Sequence, residues 1–241
     1  MKRMMGRWIM WWGALAVARP GIAEEAAPAS PVWQEGIAVV GSVRVDPRTR
    51  TVSAAGWVNQ VSGAMELLAC GKAGKTHESV FVLDVNPMDL QTGLLLLGLQ
   101  PGTPPVGLGD GMPSGPELEL WVDWKDGDQE RSLRAEQFIW NVEDDAPLPE
   151  TGWVFTGSMI EDGEFKAMAE ESLIATYWDP WAIINLPLPC GANDEILLVA
   201  TNTVPALHTP ITMRCQARAA ETPSAGERKD DDDGTAGQRL H

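Results

Sequence analysis

Glu117-Leu118-Glu119-Leu120-Trp121-Val122-Asp123-Trp124 decides the fold class. Leu118, Leu120, Val122 and Trp124 fall on one face of an extended chain, and Glu117, Glu119 and Asp123 fall on the other. That is the period-two pattern of a half-buried strand. Lys125-Asp126-Gly127-Asp128 follows as a turn into Arg131–Ala135, which predicts a hairpin. On either side, the chain repeats the theme. Ile37–Val45 and Thr51–Val58 are β-branched runs separated by Asp46-Pro47-Arg48. Ala64–Cys70 and Thr76–Val85 flank Gly71-Lys72-Ala73-Gly74 and read as a second hairpin. Further strands are expected at Trp153–Gly157, Ser172–Tyr177, Ile196–Ala200 and Ile211–Ala217. One helix stands out: Asn86 is a good N-cap, Pro87 suits the first helical position, Asp89 lies in the first turn, and Leu90, Leu94 and Leu97 recur at helical spacing. A shorter helix is expected over Glu136–Trp140. The predicted fold is β-rich, a mainly antiparallel, sandwich-like sheet with one or two covering helices, and an α+β arrangement is an alternative.

The chain has 241 residues, with 34 Asp and Glu against 18 Lys and Arg. The net charge of −16 argues against nucleic acid as a partner, because phosphate binding needs clustered Lys and Arg. Residues 1–23 read as an export signal. Lys2, Arg3 and Arg7 precede a short apolar run, Trp8–Ala18, and Gly21-Ile22-Ala23 offers small residues at a cleavage point. The run is about half of the ~20 apolar residues that span a bilayer, so cleavage is expected and no transmembrane segment follows it. Cleavage removes Lys2, Arg3, Arg7 and Arg19 and no acidic residue, taking the net charge from −16 to −20. The expected location is periplasmic or extracellular. Residues 24–35 read as a Pro/Ala leader, 36–218 as one domain, and 219–241, with the acidic run Asp230–Asp233, as a disordered tail.

An exported setting permits disulfides. Of the three cysteines, Cys70, Cys190 and Cys215, the pair Cys190–Cys215 is closest in sequence and is the favoured bridge. Three Cys cannot form a four-Cys zinc site or ligate an iron–sulfur cluster within one chain, so no cofactor is expected.

Several elements together resemble a known family. Glu66 in MELLA, Lys75-Thr76-His77-Glu78-Ser79, the helix Asp89–Leu99, Trp153-Val154-Phe155-Thr156-Gly157-Ser158 and Asn202-Thr203-Val204-Pro205 follow in that order. This is similar to the YdjY-domain family of bacterial proteins, commonly exported, and the resemblance spans Ile37–Gln216. It implies a domain and no reaction. Some relatives carry Cys-rich segments and are described as ferredoxin-like; this chain has no such segment, and cluster chemistry is not carried over.

The resemblance centres on a candidate ligand-binding set: Glu66, His77, Glu78, Ser79, Trp153 and Ser158. In the hairpin reading, Glu66 lies opposite position 77, 78 or 79, so that an imidazole and a carboxylate face each other. A serine hydrolase would need Ser79 or Ser158 with His77 as base, yet neither serine sits in a Gly-x-Ser-x-Gly elbow. A zinc hydrolase would need more histidines, and Asp126, Asp128 and Glu130 only begin a calcium-loop pattern. Trp121, on the polar face of its strand, is a candidate to stack on a sugar or partner. Arg44, Arg48, Arg50, Lys72 and Lys75 are candidates for a cationic pocket beside His77. The function expected from these residues is a non-catalytic binding or interaction module taking a small ligand or an envelope protein. The alternative is a hydrolase-like or metal-assisted enzyme centred on His77 and a neighbouring carboxylate.

Overall fold

The computed structural model describes residues 29–218. The expected signal, the first part of the leader and the acidic tail lie outside these residues. The strand read from 117–124 is β7 (Glu117–Asp126), which turns at Gly127 (φ 61°) into β8 (Gln129–Arg134). Its apolar face, Leu118, Leu120 and Val122, is fully buried. On its other side β7 pairs antiparallel with the last strand, β17 (Pro210–Ala217), which in turn pairs with β4 (Thr51–Val58).

Before β4, the run Ile37–Val45 is broken at Gly41-Ser42. It forms two strands, β2 (Ile37–Val40) and β3 (Val43–Asp46), instead of one. Gly41 (φ 56°) takes the left-handed conformation the reversal needs, and a side chain there would run into Asp89. The edge strand β1 (Val32–Gln34) pairs with β2, so the sheet starts within the segment read as a leader.

The expected second hairpin does not form. β5 (Leu67–Cys70) and β6 (Ser79–Leu83) run parallel, with Leu67 opposite Ser79. Thr76–Glu78 coils into a single 3₁₀ turn before β6. Every residue of β5 and β6 is buried, and the same holds for β14 (Ser172–Ala175). Such continuous apolar runs belong to strands covered on both faces, which is where parallel pairing is found. β14 lies antiparallel to β5 and parallel to β15 (Ile184–Asn185), and β11 (Trp153–Phe155) joins β15 back to β7.

The C-terminal half of β4 pairs with β6, and this closes the sheet. Strands β4, β17, β7, β11, β15, β14, β5 and β6 form an eight-stranded mixed barrel, with β1–β3 and β8 as extensions of the same sheet. The sandwich-like expectation is thereby replaced by a barrel. Closure depends on Gly56, where β4 leaves β3 and turns to β6; a Cβ there would overlap the Val82 carbonyl oxygen and lie 2.7 Å from Leu83 Cδ2.

The predicted helix is α1 (Pro87–Leu96), with the Asn86 side chain accepting from Met88 N at 2.8 Å. It ends at Gly98 (φ 79°), short of the expected Leu99. Gly93 presses α1 onto β3 and β4: a Cβ there would sit 3.2–3.3 Å from Val43, Val45 and Val52. The second expected helix is a 3₁₀ turn, Ala135–Phe138, leading into β9 (Ile139–Asn141). β10 (Ala146–Pro147), β9 and β16 (Leu197–Val199) make a small sheet tied to the barrel by Met65 N donating to Leu197 O at 3.1 Å. The hairpin β12 (Ile160–Glu161) with β13 (Glu164–Phe165) leads into the short α2 (Lys166–Glu170). No helix among the described residues is long and apolar enough to cross a membrane.

Candidate functional site

The parallel register of β5 and β6 sets Glu66 and Glu78, each the residue before its strand, side by side; Glu66 N donates to Glu78 O at 3.0 Å. The connection between them is held by side chains from elsewhere. Asn59 Nδ2 donates to the carbonyls of Thr76 (2.5 Å) and Ser79 (2.8 Å), and Ser79 Oγ donates to Lys75 O at 2.7 Å. Glu171 accepts from Ala73 N at 2.7 Å through its carboxylate and from Gly71 N at 2.8 Å through its backbone. A Cβ at Gly71 would collide with that carboxylate, so glycine is needed for the approach. These bonds hold the turn as a platform.

Four ionisable side chains stand on it. Lys75 Nζ lies 3.0 Å from Glu66 Oε2, and His77 Nε2 lies 3.4 Å from Glu78 Oε1. Burial, then the charge of Glu66 and a hydrogen bond shared with it, push the Glu78 carboxyl above its ordinary value; His77 and Lys75 pull the other way. Burial works against the Lys75 ammonium, but Glu66, Asp179 and Glu78 more than offset it and its pKa rises. Behind the cluster Asp179 is buried, and burial raises its carboxyl despite a hydrogen bond from Trp181 N, the neighbouring Ser172 hydroxyl and the charge of Lys75. Thr176 Oγ1 and Tyr177 N both donate to Glu66 O, at 2.7 and 3.0 Å. The His77 side chain is 75% exposed and that of Glu78 33%, so the open side of the cluster is the imidazole and one carboxylate.

The expected set divides. Glu66, His77 and Glu78 come together, joined by Lys75. Ser79 belongs to the same turn but is fully buried, its hydroxyl committed to Lys75 O. Trp153 is sealed in the core, its indole N–H donating to Glu136 Oε1 at 3.2 Å. Ser158 lies after β11 with φ 58°; its hydroxyl donates to Trp181 O at 2.6 Å and accepts from Ala167 N at 3.1 Å, fixing the start of α2. Asp179 and Tyr177 were not singled out from the sequence. Trp178-Asp179-Pro180-Trp181 reads as a corner, and nothing local says that its carboxylate faces a lysine a hundred residues earlier.

The favoured disulfide is absent. Cys190 sits in the 3₁₀ turn Pro189–Ala192, whereas Cys215 is inside the barrel on β17, and all three cysteines are free. Burial pushes the Cys215 thiol up to about 12 and also raises Cys70. Trp121 is not open for stacking, since the guanidinium groups of Arg134 and Arg214 each lie 5.5 Å from its ring centre. Of the early basic residues Lys75 joins the His77 cluster, but no cationic pocket forms there: Lys72 pairs with Asp84 at 2.6 Å, Arg48 with Asp46 at 3.3 Å, and Arg44 lines a groove near Arg214. Among the described residues, no group of three or more His, Cys, Asp or Glu could hold a metal ion.

Chemically, the cluster can share a proton between two carboxylates and offer negative charge to a cation at an exposed edge. The hydroxyl of Ser79, committed to Lys75 O, does not serve as a nucleophile beside His77. No curated protein and no solved structure matches the chain. The model of the YdjY domain matches residues 43–213, from the start of β3 to within β17, which takes in α1, the 66–79 cluster and nearly the whole barrel. The chain belongs to the YdjY-domain family.

Proposed function

We propose that this chain is the binding module of an exported protein, acting in the periplasm or outside the cell without catalysing a reaction. It recognises a cationic group, on a small ligand or an envelope protein, through Glu66, Glu78 and His77. The observation that carries this reading is the contact between Glu66 and Glu78, two carboxylates neutralised only in part by Lys75 and reaching solvent at one edge. Like charges held together are relieved by a proton or by an incoming cation, and an ammonium or guanidinium supplies donors as well as charge. The absence of catalysis is supported by the hydroxyls of Ser79 and Ser158, both committed to backbone carbonyls.

The alternative, an enzyme using His77 and Glu78 as an acid–base pair, is favoured by the raised Glu78 carboxyl and its 3.4 Å approach to the imidazole. Native mass spectrometry of the mature protein purified from its own envelope, with elemental analysis of the same sample, tests both. A retained amine-bearing molecule or partner, lost in Glu78→Gln and weakened in His77→Ala, is expected. A bare protein whose partners are unchanged by both substitutions would overturn the binding reading. Turnover of envelope metabolites lost in His77→Ala would replace it with the enzyme. N-terminal sequencing should find the mature chain beginning at Glu24.

A further inference from the structure

The outward face of the sheet, away from α1 and away from the Glu66 cluster, carries a second arrangement. Cross-strand pairing aligns Ala55, Thr212, Asp123 and Ser132 in one row over β4, β17, β7 and β8, and Ser53, Arg214, Trp121 and Arg134 in the next. The short side chains of the first row form the floor of a groove of about 790 Å³, whose wall is the β7–β8 hairpin with Lys125 and Arg131. A second groove of about 430 Å³, with Thr51, Ser53 and Gln216 beside Arg44 and Asp46, runs over β3 and β4. The two share Arg214. Each volume is within the range of small-molecule sites.

Charge on this face runs against the rest of the molecule. The grooves contain four basic residues, Arg44, Lys125, Arg131 and Arg214, against three acidic ones, Asp46, Asp123 and Glu130, in a chain with 34 acidic and 18 basic residues. Arg214 is held in place by Asp123, with Nη2 to Oδ1 at 3.0 Å and Nη2 to Ser132 Oγ at 3.1 Å, and it stacks on Trp121. Such an arginine is oriented before any ligand arrives. Arg44 is exposed. It lines the second groove, and its side chain has neither a hydrogen bond nor an ion pair among the described residues.

We propose that these joined grooves bind an acidic oligosaccharide, with carboxylate groups on Arg44 and Arg214 and sugar hydroxyls on Ser53, Thr212, Ser132 and Gln216. A peptide fits the same face less well. β4, β17 and β7 are each paired on both sides over this floor, so the open edge of β8 lies at its margin and recognition on the floor itself falls to side chains. A ligand rich in its own hydroxyls and carboxylates matches the hydroxyl, amide and guanidinium groups present.

The test is titration calorimetry of the mature protein with a short galacturonate oligosaccharide. An uncharged malto-oligosaccharide and a tetra-aspartate peptide serve as comparisons. Binding of the uronate should fall about tenfold in Arg44→Ala, the loss of one charge-assisted contact. It should disappear in Ala55→Phe, which fills the floor from an exposed position without touching the core. Lys72→Ala, which lines neither groove, should bind as the parent does. Absence of uronate binding, binding indifferent to Ala55→Phe, or equal binding of the peptide would each overturn the proposal. None of these results bears on the Glu66 cluster, whose own test uses Glu78→Gln.

Discussion

Glu136 is fully buried and its Oε1 accepts three hydrogen bonds: from Arg134 Nη2 at 2.8 Å, Thr151 N at 3.1 Å and Trp153 Nε1 at 3.2 Å. Arg134 is itself only 7% exposed and reaches Glu119, at 3.6 Å, as its second carboxylate. Replacing Glu136 by leucine takes the nearer carboxylate from a buried guanidinium, which keeps only Glu119 and the Thr151 carbonyl, and leaves two further donors without an acceptor. Breaking one side of a buried pair costs about 3–5 kcal/mol, and the Thr151 and Trp153 donors place this site toward the upper end. Glu136→Gln keeps the acceptor at the Oε1 position but loses the charge and puts an NH2 donor where the buried Oε2 stands, so about 1–2 kcal/mol is expected. The double variant Arg134→Met/Glu136→Leu removes both charges. It should be more stable than Glu136→Leu alone by about 2 kcal/mol, with the lost stacking on Trp121 limiting recovery. Equilibrium unfolding in guanidinium chloride, followed by tryptophan fluorescence, gives all three values. If Glu136→Leu lies within about 1 kcal/mol of the parent, or if the double variant is no better than the single, then the buried pair does not hold β8 and the 3₁₀ turn to the barrel as argued.

Three further outcomes follow from named contacts. Gly56→Ala should destabilise by about 2–3 kcal/mol in the same assay, because the new methyl meets backbone at Val82 and strand closure has to shift; an unchanged midpoint would mean the barrel closes elsewhere. Glu78, whose carboxyl is raised in the folded chain, holds its proton more tightly folded than unfolded, so its ionisation costs stability as pH rises above the unfolded value near 4.5. Stability of Glu78→Gln relative to the parent should therefore increase as pH rises through the ordinary value of 4.5 and level once pH passes the raised folded value; a flat difference would dissolve the Glu66–Glu78 contact. Thiol titration should count three free cysteines in the denatured chain, with Cys215 and Cys70 slow to react in the native one; a count of one would restore a disulfide.

The elements that could be read from sequence were those whose signals are local. Alternation in β7, the strand run of β17, the Gly127 turn and the Asn86–Pro87 helix start are each set within a few residues, and the structure has them where the pattern put them. The segment 64–85 was misread because two apolar runs around a Gly-rich stretch fit a hairpin and a tight parallel connection equally well. The difference lies in Asn59 and Glu171, distant residues that bond to the turn. The candidate site was legible in part for the same reason. Glu66, His77 and Glu78 could be named, but their company with Lys75 and Asp179, and the inward turn of Ser79, depend on that connection. Trp153 and Ser158, quoted from the family-like stretch, serve the core and the start of α2.

Taken by itself, the order of residues determined that this chain is β-rich, strongly acidic and a YdjY-domain relative, because periodicity, charge and motif order are properties of the chain as written. Only the tertiary structure decided that the sheet closes into a barrel, that the cysteines stay apart, and which charges meet. Closure joins β4 to β6, and the register of strands distant along the chain sets side chains such as Arg214 and Asp123 against each other. Such pairings are chosen by the burial and hydrogen bonding of the whole molecule, to which no single stretch of sequence holds the key.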